Sequence, residues 1–122
     1  MLVVLMIIGL ATSLEAKAPE SQEVTLQEFL LQKVIEANLT YNDYEILNCI
    51  AKNESNWRNV PNYLYDGEDG IYTAYGPYQI LKSTAKRYSD KDRLNPYNNV
   101  EIAVLIYGNE GYTPWLVWRS CI

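Results

Sequence analysis

The sequence predicts a single, mainly helical α+β domain with a small hairpin lobe, and three observations carry that prediction. Two segments open with threonine caps and continue with apolar residues at helical spacing. Residues 58–78 replace that periodicity with Pro, Gly, Asn and aromatic residues, and helical spacing returns after residue 83. At 122 residues and 14.0 kDa, with 48% apolar content, the chain can fill one core and has no room for a second.

The first ten residues, Met1 to Leu10, are apolar, and the run fades through Ala11 to Leu14 before Glu15. That length suits the h-region of a signal peptide, whereas a membrane-spanning helix needs about 18 to 20 apolar residues. Residues 1–16 are therefore assigned as a signal peptide, with an uncleaved anchor as the alternative, and no stable membrane insertion is expected. The stretch Leu14-Glu15-Ala16 approximates a cleavage site. Cleavage after Ala16 removes Glu15 as the only charged side chain and moves the net charge from -5 to -4. Residues 17–24, with Pro19, Ser21 and several charges, form a linker, and the folded domain is placed at 25–122.

Within the domain, Thr25 and Glu28 form a capping box ahead of Phe29, Leu30, Val34 and Ile35, which predicts a helix over 26–37. A second start signal, Thr40 to Asp43, precedes Tyr44, Leu47, Ile50 and Ala51 on one face of a helix running to about Asn53. Asp66-Gly67-Glu68-Asp69-Gly70 separates two tyrosine-containing, strand-like pieces and predicts a short hairpin. Helices follow at about 83–88 and at about 98–107, where Val100, Ala103, Val104 and Tyr107 share a face after the break at Asn95-Pro96. Pro114 stands at a first helical position for a last helix carrying Trp115 and Trp118.

Composition narrows the chemistry. Ten basic against fifteen acidic residues, and a pI near 4.6, give no footprint for a polyanionic partner, so nucleic acid is disfavoured. Without histidine the usual base for a serine or cysteine nucleophile is missing, and two cysteines cannot complete the usual zinc ligand sets. Carboxylates remain. Eleven tyrosines and three tryptophans against one phenylalanine suit a wet groove and a packed core equally.

Glu54 stands four residues beyond Ile50 and seven beyond Leu47, so on a continuing helix it follows the apolar stripe. Burial and the negative end of the helix dipole both disfavour its charged form, which makes it a candidate proton donor. A glycosidic oxygen is a poor leaving group until protonated, and a carboxyl still protonated near pH 6 is suited to supply that proton. The alternative is a solvated Glu at a frayed helix end, paired with Lys52 or Arg58. Periodicity alone does not choose between them.

Four ordered stretches carry a resemblance. Cys49-Ile50-Ala51-Lys52-Asn53-Glu54-Ser55-Asn56-Trp57 resembles the Cys-x-x-x-x-Glu-Ser-x-aromatic segment of animal (C-type) lysozymes and, without the cysteine, of soluble lytic transglycosylases. Tyr75-Gly76-Pro77-Tyr78-Gln79-Ile80 is similar to their Gly-x-x-Gln-Ile stretch. Asn95-Pro96 with Asn99-Val100 and Tyr107 resembles the transglycosylase motif, and Trp115 to Cys121 resembles the lysozyme tail. Together they cover about Thr40 to Ile122 and identify the chain as lysozyme-like.

The resemblance implies a lysozyme-like fold with a cleft between the Glu54 helix and the 75–80 segment. Glu54 would be the catalytic acid. Ser55, Gln79 and Ile80 would contact substrate, and Tyr107 would bond Glu54 or the bound sugar, a core role for Tyr107 being the alternative. At least two of Trp57, Trp115 and Trp118 are expected to pack in the core and not stack on sugar. In an exported chain Cys49 and Cys121 are expected to bridge, as the matching cysteines do in the animal-type family. Closing such a loop is worth about 4 kcal/mol in the chain-entropy model.

One departure bears on mechanism. Animal-type lysozymes carry a second carboxylate just before the Tyr-Gly step, where this chain has Ala74. Retaining glycosidases place their carboxyls about 5 to 5.5 Å apart and inverting ones about 6.5 to 9.5 Å. Asp66, Glu68 or Asp69 can fill the wider role, or form only a solvated acidic turn. Without a second carboxylate, Glu54 acts alone as acid and then as base toward the substrate's own hydroxyl, which is lytic transglycosylation.

The expectation is a secreted or periplasmic, cell-surface monomer that cuts the β-1,4 bond between N-acetylmuramic acid and N-acetylglucosamine in peptidoglycan, with no metal or cofactor. The alternatives are a hydrolytic lysozyme using the 66–69 turn, and a module that binds glycan or protein without cutting.

Overall fold

A computed structural model describes residues 23–62 and 73–122. The segment 1–16 expected to be a signal peptide, most of the expected linker and the expected acidic turn at 66–70 lie outside the described residues. Those described form four α-helices and one two-stranded sheet, a mainly helical fold.

Helix α1 (Leu26–Glu36) starts at a complete capping box, in which Thr25 Oγ1 accepts the Glu28 N–H and the Glu28 carboxylate accepts the Thr25 N–H. It ends where Asn38 enters the left-handed region. Helix α2 (Tyr41–Ser55) repeats the device with Thr40 and Asp43. Helix α3 (Lys82–Lys86) is one short segment without a side-chain cap. Helix α4 (Pro96–Glu110) begins two residues before its predicted start, because Asn95 Oδ1 accepts the Tyr97 and Asn98 N–H groups and Pro96 occupies a position with no N–H to satisfy.

The hairpin is minimal. Strand β1 (Pro61–Asn62) pairs antiparallel with β2 (Ala74–Tyr75), in register Pro61 to Tyr75 and Asn62 to Ala74. The last segment departs from expectation: it is a 3-10 helix over Leu116–Ser120, beginning after Trp115 and without a side-chain cap. Its backbone bonds span three residues, Trp118 N–H to Trp115 O at 3.1 Å and Cys121 N–H to Trp118 O at 2.9 Å, the tighter winding usual in short pieces.

The core is built by Leu30 and Val34 of α1, Leu47, Ile50 and Ala51 of α2, and Val100, Ile102, Ala103 and Val104 of α4, closed by Tyr78. Helix α4 is buried on most of its circumference, so it is the central element and the others pack around it. Lys33 of α1 reaches Glu101 of α4 at 3.3 Å, and Lys91 meets the same carboxylate at 2.7 Å.

Asn99 makes three of the hydrogen bonds that fasten the hairpin lobe to this core. Asn99, fully buried, accepts the Tyr78 N–H at 3.0 Å and donates to the Tyr75 and Arg93 carbonyls at 2.9 and 3.0 Å. Gly76 (φ 85°) lies against it so closely that a Cβ there would stand 2.4 Å from Asn99 Nδ2. At the opposite end of the chain's contacts, Cys49 and Cys121 stand at disulfide distance, with Sγ–Sγ 2.09 Å and Cα–Cα 5.7 Å, joining α2 to the tail.

Candidate active site

The periodicity that carries Leu47, Ile50 and Ala51 into the core delivers Glu54 to the edge of it, in the last turn of α2. The helix then stops abruptly. Asn56 and Trp57 both take left-handed backbone conformations (φ 56° and 62°), which is uncommon for a bulky residue and is held here by packing. Trp57 meets Tyr78 edge-on at 5.7 Å and donates its indole N–H to Asn48 Oδ1 at 3.0 Å.

Glu54 lines a cavity of about 190 Å³ with Gln79, Ile80, Leu81, Thr84, Arg87, Ile106, Glu110, Pro114 and Trp115. Burial pushes its carboxyl up from 4.5 to about 6. Among the described residues nothing forms an ion pair with it. Arg58, the alternative partner, instead donates its Nε–H to the Ser55 carbonyl at 2.9 Å, and Lys52 is exposed. The group is thus a half-buried, unpaired acid facing a polar-rimmed cavity.

The opposite wall is the turn Tyr75 to Ile80, closed by mutual backbone hydrogen bonds between its ends at 3.2 and 3.0 Å. Gln79 adopts φ 49° and donates both amide protons, to Val60 O at 2.8 Å and Gly76 O at 2.9 Å. Two carbonyl acceptors fix which end of this amide is nitrogen, so Oε1 is the polar atom left over. Gln79 can therefore offer the cavity only an acceptor, suited to an O–H or N–H donor. The Tyr78 carbonyl is bonded by the Trp115 indole N–H at 3.0 Å, and the Tyr78 hydroxyl donates to Leu47 O at 2.9 Å.

Two residues expected at the substrate are placed elsewhere. Ser55 is only 5% exposed, and its hydroxyl bonds the Pro77 carbonyl at 2.9 Å, tying α2 to the cavity wall. Tyr107 donates to Asp43 Oδ1 at 2.7 Å, at the other end of α2 from Glu54. The reason is phase along α4: Ile106 and Glu110, four apart, face the cavity, and Tyr107 is turned about 100° away. Of the tryptophans, Trp115 is buried at the cavity wall, while Trp57 packs on Tyr78 and Trp118 on Tyr112 at 4.9 Å, so all three have packing partners.

The structure adds a carboxylate that the sequence reading passed over. Glu110, at the end of α4, lines the same cavity as Glu54 and accepts a hydrogen bond from the Tyr88 hydroxyl. Its spacing from Ile106 and Ala103 repeats that of Glu54 from Ile50 and Leu47, which is the signal that would have found it. Asp66, Glu68 and Asp69 lie outside the described residues.

Gln79 and Ile80 line the same cavity as Glu54, and Arg87 supplies the cavity's cation. No family model, curated protein or solved structure matches the chain.

Proposed function

We propose that this chain is an exported, peptidoglycan-cleaving lytic transglycosylase with Glu54 as general acid and then general base. The observation that carries the reading is the Glu54 carboxyl itself, raised to about 6 by burial and left without an ion-pair partner among the described residues, on the wall of a cavity of about 190 Å³. The four ordered motifs that resemble the lysozyme-like families supply the substrate class.

In this scheme the protonated Glu54 donates to the bridging oxygen as the C1–O bond of the muramic acid unit breaks, leaving an oxocarbenium-like centre. Glu54, now a carboxylate, takes the proton from that sugar's C6 hydroxyl as its oxygen bonds C1. The bridging oxygen leaves as a hydroxyl, Glu54 regains its proton, and no water is consumed. Gln79, as an acceptor, orients a donor group of the substrate without competing for the acid's proton.

A second reading, hydrolysis, is favoured by one observation: Glu110 offers a carboxylate in the same cavity, in a position to activate water.

Mass spectrometry of fragments released from purified peptidoglycan tests both, with Glu54→Gln and Glu110→Gln run alongside. Anhydro ends made by the native chain and by Glu110→Gln, and absent with Glu54→Gln, support transglycosylation. Reducing ends lost in both variants establish hydrolysis. Fragments from none of the three leave a binding module.

A further inference from the structure

Residues 82–93 hold five of the ten basic residues of the chain against two acidic ones, a net charge of +3 within a molecule whose total is -5. The rest of the chain therefore carries -8, and this short stretch is a cationic island. The structure sets Lys82, Lys86, Lys91 and Arg93 of this stretch, with Asp90 and Asp92, around a second cavity of about 740 Å³, a net +2, while Arg87 lines the Glu54 cavity. Lys82 and Lys86, four apart on that helix, are exposed and form no ion pair among the described residues. Lys91 is committed to Glu101, and Arg93 to the Ile80 carbonyl at 3.0 Å.

The lining is not uniformly positive. Asp90 and Asp92 share the wall with the lysines, and the apolar part includes Tyr75 and Leu94, the latter 46% exposed. Carboxylates in the wall repel a dense polyanion, whereas charges of both signs over small apolar patches suit a short peptide that has free carboxylates and an amine. The volume falls within the usual range for ligand pockets, about 300–1,000 Å³. The two cavities also lie back to back: Ile80 lines the Glu54 cavity, and its carbonyl is held by Tyr75 and Arg93, which line the second one.

We infer that the Lys82–Lys86 cavity binds a short, carboxylate-bearing peptide, and that this is the peptide attached to the glycan strand. The identity of the peptide's source rests on the glycan-cleaving reading above; the site itself rests on charge, volume and lining. A strand whose sugar enters the Glu54 cavity carries its peptide around α3 into the second cavity, so peptide-bearing strands are preferred to bare ones.

Two measurements on the full chain test this. The first is titration at low salt with a synthetic tetrapeptide of the cell-wall type, with free carboxylates and one free amine, monitored by NMR. The native chain and Glu54→Gln should bind it alike, Lys82→Glu/Lys86→Glu should bind about tenfold or more weakly, and Lys82→Arg/Lys86→Arg should retain binding. The second compares cleavage of peptide-bearing strands with strands stripped of peptide. A several-fold preference for the former should vanish in the double Glu variant while its rate on stripped strands holds. No peptide binding by the native chain, or tighter binding of inorganic polyphosphate than of peptide, overturns the inference. Peptide binding without cleavage of either polymer would instead sink the glycan reading and leave the site standing.

Discussion

Asp43 and Glu54 stand eleven residues apart at the two ends of helix α2, and the ends treat them in opposite ways. At the first turn, burial alone would raise Asp43, but hydrogen bonds from the Tyr107 hydroxyl, the Thr40 N–H and the Thr40 hydroxyl outweigh it and hold the carboxyl below 3.8. At the last turn, Glu54 has burial with no such compensation, and its carboxyl rises to about 6. The ends are about 16 Å apart along the axis. Neither residue type nor helix membership decides the protonation state; the donors aimed at each group do. One end is built to keep a charge and the other to keep a proton.

The most severe way to break this contrast is to remove the proton. Glu54→Gln is expected to lower fragment release from peptidoglycan by about 10²- to 10⁴-fold, the usual contribution of a positioned acid or base, measured at pH 6. The native rate should itself decline as pH rises through about 6, as the acid loses its proton.

Cutting the anchor nearest Glu54 comes next. Cys49→Ser/Cys121→Ser is expected to cost about 2–4 kcal/mol in denaturant unfolding. Amide exchange should quicken over residues 49–57 more than over 40–44, because the bond fixes only the Glu54 half of α2. Equal acceleration at both ends would refute that division.

The Asp43 end is probed by two smaller changes. Asp43→Ala removes the return bond of the capping box and the Tyr107 acceptor, and should cost about 2 kcal/mol while leaving the pH midpoint of cleavage in place. Tyr107→Phe should cost about 1 kcal/mol and likewise leave that midpoint unmoved. A shift of the midpoint with Tyr107→Phe would restore this tyrosine to the side of the acid.

The mildest effect sharpens the comparison through stability. Glu54 is raised in the folded state, so the native chain keeps a proton that the unfolded chain gives up. Its stabilising contribution is full below about pH 4.5 and is lost as pH rises through about 6. Glu54→Gln lacks this loss and should gain on the order of 1 kcal/mol relative to the native chain between pH 4.5 and 7, the group being partly screened by solvent. Asp43 runs the other way: its contribution is present above its ordinary value and fades as pH falls through the lowered one.

How much of this was readable in the sequence depended on how local each cause was. The two capping boxes, Thr25 with Glu28 and Thr40 with Asp43, were legible because both partners lie three residues apart. Glu54 was legible because helical phase projects it onto a face that Leu47 and Ile50 had already defined. The same arithmetic reaches Glu110 from Ile106, but an acid at a helix end draws no notice until a second wall faces it. The fold partners of Ser55 and Tyr107, Pro77 O and Asp43 Oδ1, were not legible because they are 22 and 64 residues away, and nothing local distinguishes a hydroxyl spent on the fold from one offered to a ligand. The tail's 3-10 winding was not legible, because Pro114 marks a helix start of either kind while Val117 and Trp118 are weak α-formers.

The pairing of Gly76 with Asn99 constrains what the chain can tolerate in descent or in engineering. Asn99 supplies one acceptor and two donors at a fixed reach, which is what a third strand would otherwise give the Tyr75 to Ile80 turn. Aspartate of the same shape has no donor when ionised, leucine has no polar atom, and glutamine is one methylene too long for a site with no spare volume. Any side chain at position 76 would in turn collide with the amide that position 99 requires. The two positions therefore share one vocabulary, in which neither word can be changed alone, and a library built on this scaffold should vary the rim of the cavity and leave this couple untouched.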